Sequence, residues 1–132
     1  MTVIQRDTAE ILRAQLGGQY LAAVWPGVEA VLHVEDDWRA TDSSVKVLVA
    51  DDSPPTPLLH KYFAEPLLRV TVIARGRTQA RAIAAGCADW IATVRLPGIR
   101  INNVSTLAEG RGRSTGNYLV FFTVPATVRP VS

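Results

Sequence analysis

The sequence predicts an α+β fold, a single domain in which two main helices pack on a mostly antiparallel β-sheet. Two long segments have apolar residues at helical spacing, one near the start of the chain and one in its second half. Shorter stretches rich in β-branched residues lie between and after them, separated by turn residues. With 132 residues, 48% hydrophobic and 20% charged, the chain is typical of one globular domain. The predicted order is α-β-β-β-α-β-β.

The first predicted helix spans residues 2–16, TVIQRDTAEILRAQL, where apolar residues recur at helical spacing. Thr2 and Asp7 are each followed three residues later by Gln or Glu, so either can cap the helix, and we favour the earlier start. Gly17 and Gly18 come next. Because glycine is the usual residue just beyond a helix C-terminus, we expect the helix to end there.

Two apolar stretches after a Trp-Pro-Gly turn predict the first two strands. VEAVLHVE (28–35) alternates loosely between apolar and polar residues, and VKVLVA (45–50) is rich in β-branched valine. The polar, turn-rich segment DDWRATDSS (36–44) separates them. We therefore expect the two strands to pair as a hairpin.

A proline-rich stretch, DDSPPTP (51–57), predicts a loop, because proline disrupts both helices and sheet ladders. The next segment, LLHKYFAE (58–65), is apolar and aromatic, and the sequence leaves open whether it is loop, short helix or a surface for a partner. PLLRVTVIA (66–74) is the clearest strand, since it combines β-branched residues with alternation.

RTQARAIAAGCADWIATV (77–94) is the clearest helix, and Pro97-Gly98 ends it. Its apolar stripe comprises Ile83, Cys87, Trp90, Ile91 and Val94. We expect the thiol of Cys87 to be buried rather than catalytic, because a free cysteine in such a stripe usually packs in the core. Gly86 costs about 1 kcal/mol relative to alanine inside a helix, so we expect close packing against the sheet there.

Two final predicted strands, 99–108 and 117–130, flank the glycine-rich loop GRGRSTG (110–116). A dinucleotide fingerprint needs G-x-G-x-x-G between a strand and a helix whose N-terminus holds the pyrophosphate. Here the third glycine comes one residue too late, and NYLVFFTV after it predicts a strand. The Gly-Lys-Ser/Thr of a phosphate-binding Walker loop is also missing from the sequence. We therefore interpret the loop as a hairpin tip rather than a nucleotide site.

Charge is distributed unevenly along the chain, although the net charge is only +2. Residues 1–65 hold ten acids and five bases, whereas residues 66–132 hold two acids and nine bases, and 12 of the 14 bases are arginine. This asymmetry indicates either an anionic partner or copies of the chain that meet through unlike faces. The alternative is that the two halves intermix in space and the asymmetry disappears.

The sequence offers no convincing catalytic or metal-binding constellation, so we expect a protein that is not an enzyme and needs no cofactor. Asp36-Asp37 and Asp51-Asp52 each follow a predicted strand, where carboxylates can bind a divalent metal, but turn chemistry explains them equally well. A single cysteine excludes an internal disulfide and a multi-cysteine zinc site. The apolar runs are too short to cross a membrane and the N-terminus is charged, so we expect a cytoplasmic location.

The order of elements and several short motifs resemble the tail-terminator (tail-completion) proteins of long-tailed bacteriophages, the group that includes the phage lambda terminator. The similar features are WPGVEAVLHV near the start, the strand followed by RTQARA at a helix start, Leu96-Pro97-Gly98 near the end of that helix, and the final strand ending in VRP. The resemblance covers nearly the whole chain as a pattern, with the exception of segment 36–44.

This resemblance implies a structural protein of the virion that assembles, in the host cytoplasm, into a ring of six subunits. The ring would sit on the end of the tail tube, contact the tail tube protein, stop tube polymerisation and present a surface to a head–tail connector protein. No catalytic residues are implied. Arginines that face the lumen of such a ring would also meet DNA in transit.

We expect the contacts of the assembly to use the loops of unusual composition and the arginines of the second half, because loops commonly carry recognition. The candidate interface residues are Asp51, Asp52, Arg75, Arg77, Arg81, Arg111 and Arg113. Two alternatives remain open at this point: a nucleic-acid-binding module that uses the arginine-rich second half, and another head–tail connector protein.

Overall fold

Six strands form one sheet in a computed structural model that describes residues 7–52, 65–113 and 115–128. The strands are β1 (Val28–Val31), β2 (Val45–Asp51), β3 (Leu67–Ala74), β4 (Ile99–Ile101), β5 (Ala108–Arg111) and β6 (Tyr118–Val128). The helices are α1 (Thr8–Gln15), a π-helix (Leu16–Leu21), α2 (Ala22–Val24) and α3 (Arg77–Thr93). The strand order is β1-β2-β3-β6-β4, and β5 pairs with β6. The predicted α+β fold of one small, mostly antiparallel domain is confirmed.

The first helix begins at Thr8, the later of the two predicted starts. Asp7 is its N-cap, and the Asp7 carboxylate accepts a hydrogen bond from the Glu10 amide at 3.1 Å. The favoured earlier cap, Thr2, lies outside the described residues.

The predicted helix end at Gly17-Gly18 is wrong, because the chain continues through both glycines as the π-helix and then as α2. Leu16 and Leu21 are fully buried, and a Cβ on Gly17 would lie only 3.3 Å from the Ala30 Cβ. Burial of each leucine stabilises the fold by about 1.5–3 kcal/mol. This outweighs the penalty of about 1 kcal/mol, relative to alanine, for placing each glycine in a helix.

The expected hairpin between the first two strands is also wrong, because β1 runs parallel to β2, with Val28 opposite Val45 and Val31 opposite Leu48. Parallel neighbours need a long connection, and residues 32–44 are long enough to return the chain to the end where β1 began. All the other strand pairs are antiparallel.

The predicted strand 99–108 is interrupted, and β4 and β5 pair with the two ends of β6 on the side away from β3. Between them, the Asn102 amide donates to Pro125 O at 2.9 Å and the Ser105 amide donates to Thr123 O at 3.0 Å. An irregular segment therefore continues along β6 between two short strands.

The sheet has two unlike faces. On the covered face, which lies beneath α1 and α3, the strand residues are buried: Val45, Val47, Val49, Leu68, Val70, Val72, Val120, Phe122 and Val124. On the opposite face, which we call the open face, Ile73 is buried, but most alternate residues are only partly covered or are exposed: Lys46, Leu48, Arg69, Thr71, Leu119, Phe121 and Thr123. The helices thus lie on one side of the sheet, as predicted.

The apolar stripe of α3 faces the covered face as predicted, with Ile83, Cys87 and Ile91 fully buried. Gly86, however, packs against the π-helix rather than the sheet, because a Cβ there would collide with the Tyr20 hydroxyl. That hydroxyl also accepts a hydrogen bond from Trp25 Nε1 at 3.2 Å.

Among the described residues, α3 and the other helices are all too short or too polar to span a membrane.

Candidate functional site

Five of the predicted interface residues lie at one end of the sheet, which we call the arginine end: Arg75, Arg77, Arg81, Arg111 and Arg113. Arg75 follows β3, while Arg77 and Arg81 lie in the first turns of α3. Arg111 closes β5, opposite Tyr118, and Tyr118 is opposite Ala74 at the end of β3. The antiparallel register of β3, β6 and β5 therefore brings residues from three parts of the chain together.

Glu109 is the centre of this cluster. Its Oε1 atom accepts hydrogen bonds from Arg77 Nε at 2.9 Å and from the Tyr118 hydroxyl at 3.0 Å, and it lies 3.3 Å from Arg81 Nη1. The hydrogen bond from Arg77, followed by that from Tyr118, lowers the pKa of Glu109 to about 2. The carboxylate is therefore ionised at neutral pH and holds the two arginines of α3 beside the β5–β6 hairpin.

The other three arginines are less restrained. Arg75 lies 3.6 Å from Asp42, and both side chains are mostly exposed. The guanidinium of Arg111 lies 5.9 Å from the centre of the Tyr118 ring. Within the described ranges, Arg113 has neither an ion pair nor a hydrogen bond of its side chain. With five guanidinium groups against two carboxylates, the arginine end carries a positive surplus.

The hairpin tip that the glycine-rich loop predicts is confirmed. The Gly112 amide donates to Asn117 O at 2.9 Å, the Gly116 amide donates to Gly112 O at 3.0 Å, and Gly116 has a positive φ of 71°. Such a φ favours glycine. The chain then enters β6 rather than a helix, so the loop lacks the helix N-terminus that a dinucleotide site requires.

Asn117 anchors this hairpin to the long β1–β2 connection. Its Oδ1 accepts from the Ala40 amide and its Nδ2 donates to Trp38 O, both at 2.9 Å, and the residue is 7% exposed. Because a buried amide left without partners costs about 1–3 kcal/mol, these bonds hold residues 38–40 beside the arginine end.

Asp51 and Asp52 do not join the arginines, although all were predicted as interface residues. They lie at the far end of β2, where Asp51 is opposite Leu68, whereas the arginine end adjoins the start of β2. Asp52 instead forms an ion pair with Arg69 Nε at 2.9 Å. The two predicted groups therefore occupy opposite ends of the sheet.

The charges of the two halves partly intermix. Asp42, from the acidic first half, lies beside Arg75, while Glu109, one of the two acids in the second half, pairs with Arg77. The positive surplus at the arginine end nevertheless remains, because these two carboxylates face five arginines. The one sequence signal for Glu109 was that it is one of only two acids among the nine bases of the second half.

The described residues include no group of three or more His, Cys, Asp or Glu side chains that could hold a metal ion. Cys87 is fully buried, and burial raises the pKa of its thiol to about 12, so the thiol stays protonated. The thiol therefore packs as a small apolar group, as its position in the stripe of α3 predicted.

No protein-family model matches this chain, and no curated protein matches it.

The arginine end has the chemistry of an anion-binding surface, because guanidinium groups form bidentate hydrogen bonds with carboxylates and phosphates. Those of Arg111 and Arg113 are the most available for a partner, since Glu109 and Asp42 pair with the other three.

Proposed function

We propose that the protein is a structural subunit of a phage tail, which forms a ring on the end of the tail tube, stops tube polymerisation and provides the surface for head–tail joining. The sequence resemblance to tail terminators motivates this proposal, and the α+β fold with helices on one side of the sheet is compatible with it. Six subunits per ring, and contacts with the tail tube protein and a connector protein, belong to the same proposal.

The observation that carries the proposal is that one subunit has two unlike surfaces with the composition of protein interfaces. A ring is built from heterologous contacts, in which one patch meets a different patch on the neighbour. The arginine end supplies a positively charged patch, and the open face supplies a mixed aromatic and aliphatic one.

The open face has the chemistry expected of an interface core. Leu48, Thr71 and Phe121 lie side by side across β2, β3 and β6, and all three are partly exposed. The guanidinium of Arg69 lies 5.2 Å from the centre of the Phe121 ring. Aromatic residues and arginine are enriched in the buried centre of protein interfaces, among the residues that contribute most of the binding energy.

The first experiment is electron microscopy of particles from a phage that lacks this gene. We expect overlong, irregular tails that are not joined to capsids, because tube growth would have no stop. Tails of normal length that fail to join capsids would instead favour another head–tail connector protein, and normal joined particles would overturn both assignments.

The arginine end is tested by complementation with the Arg111→Glu/Arg113→Glu variant. We expect loss of infectivity, because charge reversal would repel an anionic partner surface. The matched control is Arg111→Lys/Arg113→Lys, which keeps the charge and should restore most of the infectivity. Both side chains are exposed, so thermal unfolding should remain near that of the wild type; full infectivity of the charge-reversed variant would remove the arginine end from the assembly.

A nucleic-acid-binding module is the second candidate function, and the clustering of five arginines beside the ring of Tyr118 favours it. Arginines neutralise phosphates and an aromatic ring can stack on a base. Binding of single- and double-stranded DNA measured over a salt series separates the two candidates. Affinity for DNA should fall steeply with salt, whereas an assembly with apolar contacts should persist.

A further inference from the structure

A groove lies at the end of α3 far from the arginine end, between the last residues of that helix and the outer edge of β4. It consists of two adjoining cavities of about 350 and about 410 Å³ that share Ala92, Arg100 and Ile101. At one end Val94 supplies partly exposed apolar surface next to the buried Leu96 and Ile99, and Asn102, Asn103 and Val104 line the other end. We call this surface the β4 groove.

The β4 groove is positively charged, and none of the described residues that line it is acidic. Arg95 and Arg100 both line it and both are exposed. Across the described parts of the chain, neither guanidinium has an ion pair or a side-chain hydrogen bond. This differs from the arginine end, where Glu109 and Asp42 already pair with three arginines.

Among the described strands, none pairs with the outer edge of β4, which lies along the same groove. β4 is the last strand in the sheet order, with β6 on its inner side. Arg100 is opposite Thr127, and the Asn102 amide bonds to Pro125 O, so the inward backbone groups belong to residues 100 and 102. Since backbone groups alternate in direction along a strand, the N–H and C=O of Ile101 point outward, into the groove.

We propose that the β4 groove binds an extended, acidic segment of a partner protein, which adds to β4 as a further strand. The Ile101 backbone would supply the hydrogen bonds of strand addition, and Val94 and Val104, which are both partly exposed, would contact apolar side chains. Arg95 and Arg100 would bind carboxylates of the segment in bidentate fashion. The partner is acidic because two exposed guanidinium groups flank the groove with no carboxylate of the described chain to neutralise them. This inference does not depend on ring formation or on the arginine end.

The test uses a fluorescein-labelled hexapeptide that alternates valine with glutamate, titrated with the whole protein and followed by fluorescence anisotropy. We expect saturable binding that is weakened roughly tenfold or more in Arg95→Glu/Arg100→Glu, because each rim charge steers and holds the carboxylates. The glutamine version of the peptide should bind with similarly reduced affinity. Equal binding of the glutamine and glutamate peptides would overturn the proposed charge recognition.

Two further measurements test whether the peptide binds in the β4 groove. If Arg111→Glu/Arg113→Glu abolishes binding while Arg95→Glu/Arg100→Glu retains it, the peptide binds at the arginine end and the proposal is wrong. Strand addition predicts that the Ile101 amide shifts in ¹⁵N NMR spectra and exchanges more slowly with solvent when the peptide is added. An Ile101 amide that neither shifts nor gains protection at saturation would overturn it. The Arg95→Gln/Arg100→Gln variant repeats the test with a smaller perturbation should the charge-reversed protein not fold.

Discussion

The covered and open faces of the sheet come from the same strands, yet their side chains have different roles. Phe121 and Phe122 are neighbours in β6, but Phe122 is 1% exposed beneath the helices, whereas Phe121 is partly exposed beside Arg69. Alternation in a strand sends successive side chains to opposite faces. Which face becomes core is decided by α1 and α3, so the covered face supplies most of the buried core, whereas most described side chains on the open face stay at least partly exposed.

The largest expected effect on stability is the difference between alanine variants of these two phenylalanines. Phe122→Ala should lower the free energy of unfolding by about 3–5 kcal/mol, because it leaves a cavity in a close-packed core. Phe121→Ala should cost no more than about 1–2 kcal/mol, since its ring is partly exposed and loses mainly the contact with Arg69. Denaturant unfolding of both variants measures the difference, and equal losses would mean that the open face is as tightly packed as the covered face.

A smaller effect is expected where α3 meets the π-helix above the covered face. Gly86→Ala should destabilise the protein by about 1–3 kcal/mol, because the new methyl group collides with the Tyr20 hydroxyl and over-packing outweighs the gain in helix propensity. Gly18→Ala is the matched control, since a Cβ there meets nothing within 4 Å, and it should be neutral or stabilising. Thermal unfolding of both variants checks this; a stabilised Gly86→Ala protein would show that Tyr20 moves aside freely.

The smallest expected effect on stability concerns Glu109, at the exposed rim where β5 meets α3. Its pKa in the folded protein is about 2, below the ordinary value of 4.5, so its ion pairs stabilise the fold fully above pH 4.5 and lose that effect as the pH falls towards 2. The stability difference between the wild type and Glu109→Gln should therefore be constant at neutral pH and shrink below pH 4.5.

Added salt should reduce the same difference, because exposed ion pairs are screened. Denaturant unfolding of the wild type and Glu109→Gln over a pH series, at low and high salt, measures both effects. A difference that is independent of pH would show that hydrogen-bond geometry, rather than the charge of Glu109, holds the cluster together.

Strong local patterns predicted several elements well. The stripe of α3, the strand before it and the glycine-rich hairpin tip were all predicted from periodicity and turn residues. The predictions failed where burial opposed local propensity. At Gly17 and Gly18 the helical backbone continues, because Leu16 and Leu21 on either side of the glycines are buried. The interruption of strand 99–108 has no strong local signal, because Asn102 and Ser105 continue along β6 through single hydrogen bonds.

The structure places the predicted interface residues in two groups, and their role in an interface stays a prediction. Arg75, Arg77, Arg81, Arg111 and Arg113 were selected from the two Arg-Gly-Arg stretches and from the start of the predicted helix, which are local features of the sequence. Glu109 and Tyr118, which hold Arg77 and Arg81 in place, come from the β5–β6 hairpin, and no local sequence pattern marks them as partners. Asp51 and Asp52 were selected by the same local reasoning but lie at the opposite end of the sheet.

By itself, the sequence determined the α+β class, the identity of most helices and strands, and which residues in each are apolar, because the spacing of apolar residues directly reflects burial on one side of an element. Only the tertiary structure decided that β1 runs parallel to β2, that Glu109 joins Arg77 and Arg81, and that Ile101 lies in the last strand of the described sheet, beside Arg95 and Arg100. These features depend on strand direction and register, which are set by the path of long connections and by contacts between residues far apart in the chain, and no local pattern encodes them.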